Sequence, residues 1–168
     1  VETLHIPFDG CTQALLADSV DACVMVFWDG RGLDPALNCK VLFRDNLCLL
    51  YAEKYGELTV EQLVEKLGFY YTIDRDPQNL KAINTLENMN LHPRVTRVGN
   101  QQGSLICAQM GLSFTAHPQR LTAGLAIDGI RTIPLKPEFG AGIEHKLVWK
   151  KGNHNPALQA FIDWFAEL

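Results

Sequence analysis

The sequence predicts an α/β fold, because short apolar strands alternate with helical patterns along all 168 residues. One stretch, Ala22 to Trp28, is apolar without interruption, which is typical of a strand buried on both faces. Thr59 and Gln62 have the spacing of a capping box, which marks the start of a helix. We therefore expect one domain or two small lobes, with largely parallel strands.

The first third of the chain is rich in strand patterns. The turn Asp9-Gly10-Cys11-Thr12 follows the first strand and opens a short helix that carries Leu15 and Leu16. The glycines and Asp29 of the segment Trp28-Asp29-Gly30-Arg31-Gly32 predict a second turn. The strands predicted in this part of the chain are 3–7, 22–28, 40–43 and 46–51.

Helices and strands alternate more regularly in the rest of the chain. The helix that starts at the capping box is predicted to end at Gly68, and Asp76-Pro77 places an N-cap and a proline at the start of the next helix. Gln101 to Met110 is predicted as a helix ended by Gly111, and Asn155-Pro156 caps a last helix. The remaining strands are predicted at 69–73, 94–98, 112–116, 130–135 and 145–150.

Composition and charge exclude several classes of protein. Lysine and arginine number 15 against 19 aspartates and glutamates, and the formal net charge of −4 argues against nucleic-acid binding by this segment itself. The longest apolar run, Ala22 to Trp28, is far shorter than the roughly 20 residues of a membrane-spanning helix. The chain opens on Val1 with no signal-peptide pattern, so we expect a cytoplasmic protein and a cut inside a longer chain.

The five cysteines are an odd number, and none lies in a C-x-x-C pair. Reduced, buried thiols in a cytosolic protein are therefore expected, rather than a disulfide framework or a zinc site, and neither a metal nor a cofactor is predicted. His117, His145 and His154 are scattered, so we expect surface or satisfied residues. Cys11 starts a helix, which lowers a thiol pKa and could make it redox-responsive; the alternative is an inert small residue beside a ligand.

Four short patterns occur in a fixed order along the chain. Leu15-Leu16 leads to Val20-Asp21-Ala22, residues 42–50 read as paired strands, residues 109–118 form a glycine-containing helix-to-strand turn that ends in proline, and residues 146–162 combine a strand with a closing helix. Together they resemble the effector-binding domain of LysR-type transcriptional regulators, over essentially the whole chain from Leu4. Two departures stand out: Ser113 replaces a usual glycine, and the family's first strand and helix would precede Val1.

The resemblance implies the type 2 periplasmic-binding-protein fold, in which two Rossmann-like lobes are joined by two crossing strands. Lobe I would comprise residues 1–50 and 144–168, and lobe II residues 51–143, with the N-terminal strand and helix absent. A small polar or carboxylated metabolite would bind between the lobes and change the arrangement of a regulator homodimer or tetramer. DNA would be contacted only through a helix-turn-helix in a separate N-terminal segment, and no membrane is involved.

Candidate ligand residues lie after predicted strands, where α/β sheets bind their ligands. Gly10, Cys11 and Thr12 follow the first strand, and Asn100 and Gln101 offer a second helix start from lobe II. Free backbone N–H groups at such starts suit an anionic or polar ligand. Helix capping alone is the alternative for both segments.

Aromatic and basic residues extend this candidate site. Trp28 and Arg31 end the apolar strand, and an aromatic wall with one guanidinium suits an apolar carboxylate; the alternative is a core tryptophan and a solvated arginine. Tyr71 and Thr72 end a lobe II strand, a cleft position by resemblance, although strand alternation turns Thr72 to the face opposite Tyr71.

Catalysis is not predicted, because the sequence has no G-x-S-x-G, H-E-x-x-H or G-x-x-x-x-G-K motif. The alternatives to a ligand sensor are a solute-binding protein or an enzyme on the same two-lobed fold, since a fold alone does not fix a function. A constitutive oligomerisation module without any ligand is a third interpretation.

Overall fold

The computed structural model describes residues 2–7, 10–28, 32–72, 77–124 and 127–164. The chain divides into two compact units, which we call unit 1, residues 1–44 with 144–168, and unit 2, residues 45–143. No helix of the described residues is long and apolar enough to cross a membrane.

Unit 1 is built on an antiparallel strand pair covered by a short helix. Strand β1 (Ala22–Phe27) pairs with β7 (Gly142–Lys150), and β2 (Leu37–Ala52) is the other neighbour of β7. Helix α1 (Cys11–Leu16) packs against β1, and α6 (Pro156–Trp164) follows β7 in the chain. The buried core of this unit comprises Cys11, Leu15, Cys23, Met25, Phe27, Leu37 and Val148.

Two predictions for this unit are wrong. Residues 3–7 do not form a strand, because no ladder partner for them lies within the described chain. Strand β1 is not buried on both faces, since Cys23, Met25 and Phe27 are buried whereas Val24 is 59% exposed. The buried side chains pack with residues of α1 on one face of the strand. The apolar residues between them lie on the other face and are not buried there, so a continuous apolar run did not indicate burial on both faces.

Strand β2 replaces the two strands predicted at 40–43 and 46–51. It continues without interruption through Arg44 and Asp45. These two charged residues separate the two apolar segments in the sequence and so suggested two strands. Both side chains find partners beside the strand: Arg44 donates to Glu144 at 3.0 Å, and the Asp45 carboxylate accepts from the backbone N–H of Arg120 at 3.0 Å. Strands β2 and β7 each contribute residues to both units, so the two crossing strands implied by the resemblance are confirmed.

Unit 2 is an α/β structure with three parallel strands. Strand β3 (Gly68–Thr72) pairs in parallel with both β4 (Val95–Val98) and β5 (Ser113–Pro118). On its other side β5 pairs antiparallel with β2, which also carries β6 (Ile130–Pro134). The prediction of largely parallel strands is therefore right only for the β4-β3-β5 group, since the other described registers are antiparallel.

Each parallel strand leads into a helix. These helices are α3 (Pro77–Asn88), α4 (Gln101–Met110) and α5 (Gln119–Gly124), and the last of them was not predicted. Helix α4 agrees with its predicted bounds because Asn100 caps its start and Gly111, at φ +75°, closes its end in the left-handed conformation. The predicted N-cap Asp76 lies outside the described residues.

Helix α2 (Val60–Lys66) confirms the capping box. The Thr59 hydroxyl accepts from the Gln62 backbone N–H, and the Gln62 side chain accepts from the Thr59 N–H at 2.9 Å. The helix ends at Lys66 with Leu67 as its C-cap, two residues before the predicted end, and Gly68 is already the first residue of β3. Phe69 and Phe114 pack edge to face under this helix layer, with ring centroids 5.2 Å apart and both side chains fully buried.

All five cysteines are free thiols, but the prediction that they are buried holds for only three of them. Three of them are buried, Cys107 is half-buried and Cys39 is exposed. The buried thiols are Cys11, Cys23 and Cys48.

Candidate functional site

The carboxyl ends of β3, β4 and β5 meet at one edge of the unit 2 sheet, because the three strands are parallel and adjacent. Helices α3, α4 and α5 begin just after these ends. The first N–H groups of a helix have no partner within the helix, so this edge offers hydrogen-bond donors to an anionic or polar ligand.

The start of α4 is the best-defined part of this edge. The Asn100 side-chain oxygen accepts from the Gly103 N–H at 2.8 Å, and the Asn100 carbonyl accepts from the Ser104 N–H at 3.2 Å. Asn100 thus acts as the helix cap, which was the structural alternative for this residue. The N–H groups of Gln101 and Gln102 belong to the first turn, where no helix carbonyl lies four residues before them. They therefore point away from the helix at its start.

A row of polar side chains on β5 faces α4. Ser113, Thr115 and His117 alternate along the strand with apolar residues, and all three are buried. The Thr115 hydroxyl donates to the Ser104 hydroxyl at 3.3 Å, which in turn donates to the Gln101 carbonyl at 2.8 Å. The row therefore connects the interior of unit 2 with the first residue of α4.

His117 stands at the end of this row. The amide nitrogen of the Gln101 side chain lies 3.5 Å from Nδ1 of the imidazole, while Nε2 is buried without a hydrogen-bond partner among the described residues. The residue is 8% exposed, and burial lowers its pKa to about 4, so the ring is neutral at pH 7.

His117 was not among the predicted ligand residues, because its isolated position in the sequence predicted a surface or satisfied residue. It is neither on the surface nor fully hydrogen-bonded within the described chain. Ser113, Thr115 and His117 alternate with apolar residues in the sequence, and in a strand this spacing places all three side chains on one face. This pattern could have indicated that His117 belongs to a polar row.

Tyr71 and Thr72 reach the same edge on β3. Tyr71 lies opposite Arg97 of β4, whose Nε donates to the phenolic oxygen and whose guanidinium is 5.8 Å from the ring centroid. Tyr71 is half-buried and Arg97 is exposed. Thr72 is the last residue of β3, and its side chain lies outside the described part of the chain.

Three of the unit 1 candidates lie at the start of α1. Gly10 is its N-cap, and its N–H donates to the Pro7 carbonyl at 2.8 Å. The buried Cys11 thiol is 3.7 Å from the same carbonyl, and Thr12 is half-buried without a capping bond. Trp28 is half-buried directly after β1, whereas Arg31 lies outside the described residues.

A separate cavity of about 490 Å³ opens in unit 2. It lies among the start of α2, the end of α3 and β6, with Glu61, Asn88 and Lys136 as its polar lining. None of the predicted ligand residues within the described chain lines this cavity. Within the described residues, no group of three histidine, cysteine or acidic side chains could hold a metal ion.

Comparisons with known proteins bear on this geometry. The family model of the LysR substrate binding domain matches residues 4–168. No curated protein matches the chain. The LysR family transcriptional regulator CbnR superimposes with a TM-score of 0.78 at 14% identity, covering 98% of this chain and 57% of CbnR. The chain thus spans little more than half of that protein.

Two isolated regulatory domains superimpose similarly. The BenM effector binding domain with its effector benzoate gives a TM-score of 0.74 at 16% identity, covering 96% of this chain and 75% of that one. A sulfate-bound OxyR2 regulatory domain mutant from Vibrio vulnificus gives 0.72 at 14% identity, with coverage of 96% and 76%. These likenesses confirm the predicted two-lobed α/β fold.

Proposed function

Because the chain belongs to the LysR substrate binding domain family, we propose that it is the ligand-sensing domain of a LysR-type transcriptional regulator. It binds a small polar or carboxylated metabolite and so controls transcription. The whole protein acts in the cytoplasm as a homodimer or tetramer and contacts DNA through a helix-turn-helix outside this segment. The chain itself has no catalytic role.

The observation that carries this proposal is the start of α4 with its polar row. Gln101 and His117 place a carboxamide and an imidazole beside outward-facing helix N–H groups. These groups bind and orient a ligand but include no nucleophile paired with a base, so they suit recognition better than catalysis. The names of the similar solved domains, a regulator with benzoate and one with sulfate, support the same interpretation.

Ligand binding regulates such a protein only if the ligand prefers one of its arrangements. We propose that the ligand binds at the carboxyl edge of the unit 2 sheet. Asn100 and Gln101 stand at the best-defined part of the site, and the other contacts stay predictions: Gly10, Cys11, Thr12, Trp28, Arg31, Tyr71 and Thr72.

A thermal-shift screen against organic acids and amino acids tests the proposal. A ligand present at 100 times its Kd stabilises the folded state by about 2.7 kcal/mol, which raises the Tm of a domain of this size by roughly 5–10 °C. We expect at least one compound to produce a saturable increase of this kind. If no compound in a broad set moves the melting curve, the chain is better explained as an oligomerisation module.

Substitutions then locate the binding site of any compound found. We expect Gln101→Ala to weaken its binding about tenfold, because one hydrogen bond to a charged ligand is lost. Gln102→Ala, one position along the same helix and exposed, is the matched control. Unchanged affinity in Gln101→Ala and in Thr12→Ala would place the ligand elsewhere.

A further inference from the structure

We propose that the Nε2–H group of His117 donates a hydrogen bond to an anionic oxygen of the ligand, which makes His117 the residue of unit 2 that selects an oxyanion. This inference rests on the proposed function, because it deepens the same site. It assigns a role to a side chain that the sequence analysis set aside.

The position of the ring proton is the first step. The carboxamide nitrogen of Gln101 is a donor, and it faces Nδ1 at 3.5 Å. We therefore assign Nδ1 as the acceptor nitrogen of the imidazole in this contact. A neutral imidazole has one acceptor and one donor, so the proton resides on Nε2. The pKa of about 4 keeps the ring in this neutral form at pH 7.

Burial makes the remaining donor significant. Nε2 has no hydrogen-bond partner within the described residues, although nine-tenths of His117 is buried. A buried N–H without a partner is costly, and folded proteins rarely leave one unsatisfied. Within the row, Thr115 donates to Ser104 and Ser104 donates to the Gln101 carbonyl, whereas the Ser113 hydroxyl is buried without a hydrogen-bond partner in the described chain. Ser113 lies at the amino end of β5, whereas His117 lies near its carboxyl end beside the first residue of α4, so Nε2 is the unpartnered atom of the row that belongs to the candidate site.

The surroundings decide the chemistry of that partner. Helix α4 has ten residues, and its positive N-terminal end begins at Gln101, beside the ring. A donor N–H and a helix N-terminus both favour acceptor oxygens that carry negative charge. The ligand therefore presents a carboxylate or another oxyanion to His117.

The test titrates the protein with sodium benzoate, an organic carboxylate, and separately with sodium sulfate, an inorganic oxyanion. NMR follows the imidazole nitrogens of His117 and the backbone amides of α4. We expect the free protein to carry its ring proton on Nε2. At least one anion should then shift the Nε2 resonance and the first-turn amides with saturation. Benzoate alone indicates an organic carboxylate site, whereas sulfate alone or both anions indicate a general oxyanion site.

Variants separate a direct role from a structural one. His117→Leu is expected to weaken anion binding about tenfold, whereas His117→Gln, which keeps an N–H donor, should stay within about threefold of the parent. His92→Leu changes an exposed histidine of the same unit and should leave binding unchanged. Amide spectra of each variant establish that it is folded.

Three results would overturn the assignment: a ring proton on Nδ1, no response of His117 to either anion, or parental affinity in a folded His117→Leu. Failure of the proposed function looks different. If a metabolite stabilises the parent and His117→Leu equally, the proposed role of His117 is wrong, while the proposed ligand-sensing function still stands. Anion binding at His117 without any stabilising metabolite in the screen would retain the role of His117 and count against ligand sensing.

Discussion

At the scale of single residues, His117 makes stability depend on pH. Its pKa of about 4 in the folded protein lies below the value of 6.5 for an exposed histidine. The unfolded chain therefore takes up the proton first, so the contribution of this residue is present at pH 7 and is lost as the pH falls from 6.5 toward 4. The free energy of unfolding should fall by about 2 kcal/mol between pH 7 and pH 5 through this residue alone.

Urea unfolding of the parent and His117→Gln at both pH values measures this contribution. Carboxylates with lowered pKa values, such as Glu144 beside Lys146 and Arg44, also titrate in acid, but they do so equally in both proteins. The parent should lose about 2 kcal/mol more than the variant. Equal losses would show that His117 is solvated in the folded state.

The thiols give a second test at this scale. Ellman's reagent should modify the exposed Cys39 first and the half-buried Cys107 more slowly, because thiolate character and access control reactivity. Burial raises the pKa of Cys23 to about 12 and also raises the pKa of Cys48, so both should react only on unfolding. Cys39→Ser should remove the fast phase. Modification of Cys11 in that phase would revive the redox alternative for this residue.

At the scale of elements, the end of α4 depends on one glycine. Gly111 has φ +75°, and an added Cβ would lie against the Lys54 side chain, whose ammonium donates to the Met110 carbonyl at 2.7 Å. Gly111→Ala should therefore destabilise the protein by about 1–2 kcal/mol, measured by urea unfolding. Gly124→Ala, at the end of α5 with open space around it, should change stability by less than about 0.5 kcal/mol. Equal effects of the two substitutions would contradict this account.

Elements with local signals were predictable from the sequence. Helix α4 and the capping box of α2 depend on contacts within a few residues, such as the bond from Asn100 to Gly103. Pairing over long distances was not predictable in this way. Residues 3–7 have a strand pattern but no ladder partner in the described chain, and β2 is continuous because Arg44 and Asp45 bind groups distant in sequence.

The candidate site divides in the same way. Asn100 and Gln101 could be proposed as candidates because a helix start can be recognised locally. His117 was missed because its burial and its contact with Gln101 arise only when β5 packs beside α4. The position of a single histidine in the sequence predicts neither its burial nor its contact with a distant residue.

At the scale of the whole molecule, the resemblance carried information that local patterns lacked. Alternating strands and helices predicted an α/β protein, but not that Asp45 begins a second compact unit. The order of the four patterns implied two lobes with two crossing strands, and the long strands β2 and β7 confirm this. The net charge of −4 fits the proposed ligand-sensing role of this segment better than nucleic-acid binding by the segment itself.

A crystal structure of the protein with a stabilising compound from the screen tests the central claim most directly. We predict a ligand oxygen within hydrogen-bonding distance of His117 Nε2 and of an N–H group in the first turn of α4. A ligand held instead in the cavity beside Asn88 and Lys136, with His117 untouched, would contradict the account.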